Sequence, residues 1–305
     1  NQQDISCIFA VANSVRIVNS YWESGINNLT GSKGLTAIEC YGSHYVMANN
    51  DIKQVMTAHI VGNEQGVDFT DDIVITGNEY YNAMVLMQTL ARGYNTKVMQ
   101  FTNNRVTMNS GCLLGQPAFL DANFTGGSQP TYMEALIIKN NVFNYTDSAA
   151  VTPGTSYASL IMSSNTGTVE FSGNYVNGHP AGIFYNYWYT GTQPDLIFRN
   201  NTFKNIRTDA TKAGNSSAAW FYEANAGVIK TIDFTGNHVE NWMPKADRTG
   251  TGYAGPLVAM LYNANATNVL INYNTILGAN GALSSYHGTI TSQSTTGNIN
   301  GTQTD

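Results

Sequence analysis

The sequence of 305 residues predicts an all-β solenoid. Three observations predict it: one short phrase recurs along the chain, the phrase has the period of a strand, and a second apolar element fills the interval between copies. The phrase reads IVITGNEY from Ile73, LIIKNNVF from Leu136, VEFSGNYV from Val169, LIFRNNTF from Leu196, IDFTGNHV from Ile232 and VLINYNTI from Val269, with a looser VMQFTNNRV from Val98. Its Asn residues are Asn78, Asn104, Asn141, Asn174, Asn201, Asn237 and Asn274, spaced 26, 37, 33, 27, 36 and 37 residues apart. A repeat of that size with strand-like content marks a solenoid, in which each repeat buries its apolar face against its neighbours.

Within a phrase, Ile232 and Phe234 flank Asp233, the period-2 alternation of a strand with one buried face. Asn tolerates a left-handed backbone better than any other non-glycine residue, so each phrase is expected to turn sharply at its Asn. Turns in register would stack these side chains along the axis as a hydrogen-bonded ladder.

Between phrases, SYASLIMSSNTG, AGIFYNYWYTG, SAAWFYEANAG, GPLVAMLYNANATN and AFLDANFTGG each place an apolar strand before a small turn. One coil is therefore strand one (SAAWFYE), a turn (ANAG), strand two (VIKTIDF), the Asn turn (TGN) and strand three (HVENW). A loop of variable length follows. It is short at His179-Pro180 and long in TDSAAVTPGTS, RTDATKAGNSS and MPKADRTGTGYAG, and insertion at that point accounts for the variable period.

The three-strand coil, the Asn turn between strands two and three and the long loops after strand three resemble the right-handed parallel β-helix of the pectate-lyase-like group. SVRIVNSYWESGINNL, from Ser14, resembles coils of the bacteriophage tailspikes in that group. The pattern covers most of Ser14 to Ile290. The resemblance implies a right-handed parallel β-helix that acts as a homotrimer on the virion, outside the cell, and binds a bacterial surface polysaccharide. A scaffold of this kind hosts many chemistries, so the chemistry has to be sought in particular residues.

No Pro/Ser linker or charge block divides residues 1–305, and a single domain is expected. Only 11% of residues are charged, with 14 basic against 20 acidic side chains and a formal net charge of -6. That balance argues against nucleic acid or an anionic membrane as partner. There is no apolar stretch long enough to span a bilayer, so no membrane insertion is expected. Coil-like sequence already at Asn1 gives the expectation of an excised piece of a longer protein. Cys7, Cys40 and Cys112, odd in number and far apart, fit neither a disulfide framework nor a metal site and are expected as small apolar fillers.

In strand one, Phe184, Phe221 and Leu261 align and are expected inward, which turns Tyr185, Tyr222 and Tyr262 outward as an aromatic row, with Trp220 on the same face. At ~4.8 Å per coil the row would span roughly 10 Å. Aromatic faces with a polar tip suit sugar rings, while a purely structural stack is the alternative. One position further lie Asn186, Glu223 and Asn263, with Asp121 aligned to Glu223 in FLDAN against FYEAN. The long loops add Asp147, Asp209 and Asp247, and Trp188, Trp242 and Tyr253 are near them in sequence.

Glycoside hydrolysis needs two carboxyls about 5 to 5.5 Å apart for retention or roughly 6.5 to 9.5 Å apart for inversion. Asp209 and Asp247 belong to successive coils and could approach that closely. Asp121 and Glu223 are about three coils apart, roughly 14 Å, and could not pair directly. The candidate acids are thus Glu223, Asp209, Asp247 and Asp121; the candidate sugar contacts are Tyr185, Tyr222, Trp220, Tyr262, Trp188, Asn186 and Asn263. Each acid taken singly reads first as a solvated loop position or a turn-forming residue. Strand one offers Arg92 but no acidic cluster for calcium-dependent lyase chemistry, and no metal or other cofactor is expected.

On the outward side of strand two, Val74, Ile137, Ile197 and Leu270 occupy the position held by Glu170 and Asp233 in other coils. A repeated apolar stripe on an exposed sheet marks a contact surface, here expected between subunits of a trimer. The expected function is a tailspike that binds and cleaves O-antigen or capsule. A non-enzymatic carbohydrate-binding spike and a secreted polysaccharide lyase or hydrolase remain open as alternatives.

Overall fold

The computed structural model describes residues 5–24, 35–63, 72–91, 96–109, 113–114, 118–121, 133–146, 150–151, 160–163, 166–179, 183–186, 194–206, 219–222, 228–240, 258–261, 265–277, 284–286 and 289–301. Among these residues the protein is all-β with no helix, and the strand pairings are parallel. A ten-stranded sheet carries the repeated phrases, from Val15–Val18 through Ile73–Thr76, Met133–Lys139, Asp195–Arg199 and Asn265–Asn272 to Ile290–Ser294. After each phrase the chain turns into a strand of a second, fifteen-stranded sheet, such as Val142–Tyr145, Thr202–Lys204 or His238–Glu240. Strands that neighbour each other in space are one phrase apart in sequence, which is the topology of a β-solenoid.

Alternation within each phrase sends one set of side chains inward. Met47, Ile75, Phe101, Ile138, Phe171, Phe198, Phe234 and Ile271 form one column in register, all fully buried. From the second sheet, Phe143 and Phe203 stack against this column: Phe143–Phe171, Phe171–Phe203 and Phe203–Phe234 have centroids 6.0, 6.1 and 6.1 Å apart with nearly parallel planes. Offset aromatic pairs at such distances add to the burial of their area.

The ladder forms at the turn between the two sheets. It contains all seven expected Asn residues and extends to Asn50 at one end and Asn298 at the other. Each carboxamide Nδ2 donates to the Oδ1 of the next Asn at 2.9 to 3.2 Å. Each backbone N–H donates to the same oxygen, as Asn201 does to Asn237 at 2.9 Å. The second Nδ2 hydrogen goes to a strand carbonyl of the preceding coil, for example from Asn201 to Phe171 at 2.8 Å. A buried carboxamide with every donor used is what an interior corner requires.

One expectation is corrected. The left-handed residue is not the ladder Asn but the one before it: Asn49, Gly77, Asn103, Asn140, Gly173, Asn200, Gly236, Tyr273 and Gly297 have φ between 54° and 69°. The preceding residue turns the chain, which leaves the ladder Asn pointing inward. A second correction concerns Cys7, which is exposed because Ile8 and Ala10, alternating with it, take the inward positions. Cys40 is buried, and burial pushes its thiol up to about 12; Cys112 lies outside the described residues.

The strands Asp51–Asn63 and Glu79–Ala91 contain left-handed residues of their own, Gln54 and Asn82, and bend there without an intervening loop. The first carries His59 into the interior with no exposed surface. Its Nε2 is 2.8 Å from the Tyr80 hydroxyl and its Nδ1 is 3.4 Å from that of Tyr45. Burial lowers the His59 pKa to about 3 and raises those of both tyrosines, so the cluster is neutral.

Candidate functional site

The strands expected to carry the site run side by side. Phe119, Ile161 and Phe184 are in register, and Phe119 and Ile161 are buried. The following positions align Leu120, Met162 and Tyr185, then Ser163 with Asn186. Asp121 pairs with Thr89 on the other side. Phe184–Asn186 lies against Ala219–Tyr222, the strand that carries Trp220 and Tyr222. The strand Phe119–Asp121 is therefore three strand spacings, about 14 Å, from the strand Ala219–Tyr222.

The aromatic row departs from its expected register in the next coil. Trp220, Phe221 and Tyr222 pair with Ala259, Met260 and Leu261. Leu261, not Tyr262, is thus opposite Tyr222, and the next strand continues with Ser285 and Tyr286. A slip of one residue exchanges the two faces of a strand. Val258, Ala259, Met260 and Leu261 are all apolar, so alternation alone does not choose their register. Tyr262, Glu223, Asp209, Asp247, Trp188 and Asn263 lie outside the described residues, as do Asp147, Trp242, Tyr253 and Arg92.

Five of the described carboxylates are each paired with a neighbouring lysine or arginine. Lys139 reaches Glu170 at 2.8 Å, Lys204 reaches Glu240 at 2.7 Å, Lys230 reaches Asp195 at 2.7 Å, and Lys53 reaches Asp51 at 3.0 Å. Lys204, with His238 beside it, holds the Glu240 carboxyl below its ordinary range. Arg199 donates to Asp233 from both Nε and Nη2, and the Asp233 side chain is nearly fully buried, its Oδ1 without a partner. A carboxyl held low in this way, as that of Glu240 is, makes a poor proton donor. Among the described residues no group of His, Cys, Asp and Glu could hold a metal ion.

The outer stripe is a true column. Val46, Val74, Gln100, Ile137, Glu170, Ile197, Asp233, Leu270 and Ser294 follow one another in register. Its apolar members are half-buried, and its two acids are the ones neutralised by Lys139 and Arg199.

Sequence reasoning missed three features. Asn50 and Asn298 extend the ladder, and each follows a left-handed Asn or Gly as most other members do. The Tyr45–His59–Tyr80 cluster occurs once and has no repeat to announce it. Tyr273 occupies a turn position that otherwise holds Asn or Gly. No family model, curated protein or solved structure matches the chain.

Proposed function

We propose that this chain is a right-handed parallel β-helix of three strands per coil, the body of a homotrimeric phage tailspike that binds and cleaves a bacterial surface polysaccharide such as O-antigen or capsule. The observation that carries the reading is the placement of Tyr185 and Asn186 on one strand and Trp220 and Tyr222 on the strand beside it. On this reading those rings and the amide face outward, where they would present apolar faces and hydrogen bonds at about the spacing of successive sugar units. Glu223 follows this strand directly in sequence, and Asp209 and Asp247 are the further candidate acids. Asp51, Glu170, Asp195, Asp233 and Glu240 are tied up in ion pairs, and Asp121 is the fourth candidate acid.

The test is incubation with a panel of capsular and O-antigen polysaccharides, followed by reducing-end and unsaturated-uronate assays. New reducing ends without ultraviolet absorbance indicate hydrolysis, and absorbance indicates a lyase. Glu223→Gln keeps shape and most hydrogen bonding, so it should spare binding and lower cleavage by about a hundredfold or more. Unchanged cleavage removes Glu223 and leaves Asp209 with Asp247. The same ion pairing favours a second reading, a spike that binds without cleaving; binding with neither product would establish it.

A further inference from the structure

Nine residues occupy the left-handed position before a ladder Asn, namely Asn49, Gly77, Asn103, Asn140, Gly173, Asn200, Gly236, Tyr273 and Gly297, and Asn19 holds the equivalent place before Ser20, whose N–H donates to Asn50. Asn and Gly are the residues for which this conformation is least costly. Tyr273 is the exception, at φ 54°. A bulky residue held in this region is an outlier that points toward function.

Packing does not explain the exception. Asn49 lies over Gly77, Asn140 over Gly173 and Asn200 over Gly236, the amide oxygen in each case filling the space a Cβ would take on the glycine. Tyr273 lies over Gly297 in the same way, and a Cβ on Gly297 would collide with its ring. The fold is thus satisfied by Asn at the upper position three times over. What the tyrosine adds is an aromatic surface that remains 65% exposed.

Beside the ring is a row of fixed, uncharged polar groups. Asn272 Oδ1 accepts from the Thr296 backbone N–H at 2.8 Å and from Ser294 Oγ at 3.0 Å, and Ser294 Oγ is 3.4 Å from Thr296 Oγ1. The Tyr273 N–H donates to the Thr296 carbonyl at 2.8 Å, which fixes the ring's base against the same strand end. An open aromatic face bordered by an amide and two hydroxyls, with no charge among Asn272, Ser294, Thr296 and Gly297, matches the apolar face and hydroxyl fringe of a neutral pyranose ring. The absence of a cation among these residues makes it a poor match for phosphate-bearing ligands.

We propose that Tyr273, seated on Gly297 and flanked by Asn272, Ser294 and Thr296, is a sugar-stacking subsite for a neutral unit of the polysaccharide, separate from the strands that carry Tyr185 and Trp220. This rests on the polysaccharide reading above. The subsite holds polymer and takes no part in bond cleavage.

The test compares wild type, Tyr273→Asn and Tyr273→Phe in melting temperature, in affinity for whichever panel polysaccharide the wild type binds, and in cleavage of short oligosaccharides from it. Affinity is measured well below all three melting temperatures. Tyr273→Asn installs the residue that the turn uses elsewhere, so its melting temperature should equal or exceed that of wild type. Its affinity for the polymer should fall by roughly two- to tenfold, the worth of one aromatic stack. Tyr273→Phe should keep the affinity, and all three should treat short oligosaccharides alike. Undiminished affinity in Tyr273→Asn overturns the subsite and leaves the polysaccharide reading standing. A wild type that binds no polysaccharide of the panel overturns both.

Discussion

The Asn ladder and the Tyr45–His59–Tyr80 cluster both bring polar groups into the interior, and they do so by opposite means. The ladder repeats one solution: each carboxamide is held by the coils above and below, so adding a coil adds a satisfied member. The His59 cluster is solved once, by three side chains from separate strands with no continuation along the axis. The ladder is electrically neutral at every pH, whereas His59 can be charged by acid. A repeated polar column therefore strengthens a solenoid throughout, while a single buried polar group ties one region to the solution conditions.

The largest expected effect comes from breaking the ladder. Asn201→Leu removes the acceptor of the Asn174 N–H and carboxamide and the donor to the Phe171 carbonyl, leaving buried groups unpaired. At ~1–3 kcal/mol for each stranded group, the loss is on the order of 5 kcal/mol, read by urea unfolding. An equivalent midpoint in the variant would remove the ladder's claimed role.

Replacing His59 should give a smaller effect at neutral pH, and one that depends on pH. Its pKa in the folded protein, about 3, lies below the ordinary value of 6.5, so the unfolded chain takes up the proton first as pH falls. Its contribution is fully present above pH 6.5 and is lost toward pH 3, at about 1.4 kcal/mol per pH unit. His59→Phe removes the imidazole partner of the Tyr80 hydroxyl and lowers the neutral-pH plateau, yet flattens the acid limb. An acid limb as steep as that of wild type would place the sensitivity elsewhere.

The smallest effect on folding is expected on the outer face, where the comparison inverts. Ile197 lies directly between Glu170 and Asp233, each already paired with a cation, so an acid there adds only partly screened repulsion at a half-buried outer position. Ile197→Asp should change folding stability by less than about 1 kcal/mol. It should nevertheless shift the proposed trimer toward monomer, because association would bury the new charge. Sedimentation of a monomeric wild type at micromolar concentration counts against the trimer.

The same contrast explains what could be read in the sequence. Repetition made the ladder, the inward Phe and Ile columns and the outer stripe legible, since seven copies fix a register that one copy would leave open. It did not reveal which residue of Gly77-Asn78 or Asn200-Asn201 turns the chain, because Asn serves both as a left-handed residue and as a carboxamide donor. Singular features were not legible: His59 looks like any residue of an apolar strand, and Tyr273 is lost among the other tyrosines until its turn position is known. The strands named for the site were legible only where alternation was clean. Tyr185 and Tyr222 lie on strands as expected, but the continuous apolar run from Val258 to Leu261 allowed the slip that puts Leu261 opposite Tyr222.

The central claim is that one hydrogen-bonded Asn column runs unbroken through the solenoid. Side-chain amide hydrogen exchange measures it directly, by transferring 15N-labelled protein into D2O and following the carboxamide signals of Asn78, Asn104, Asn141, Asn174, Asn201, Asn237 and Asn274. The account predicts that these signals persist together, long after those of the exposed Asn49 and Asn200 have gone. Loss of the ladder signals at the rate of the exposed ones would contradict it.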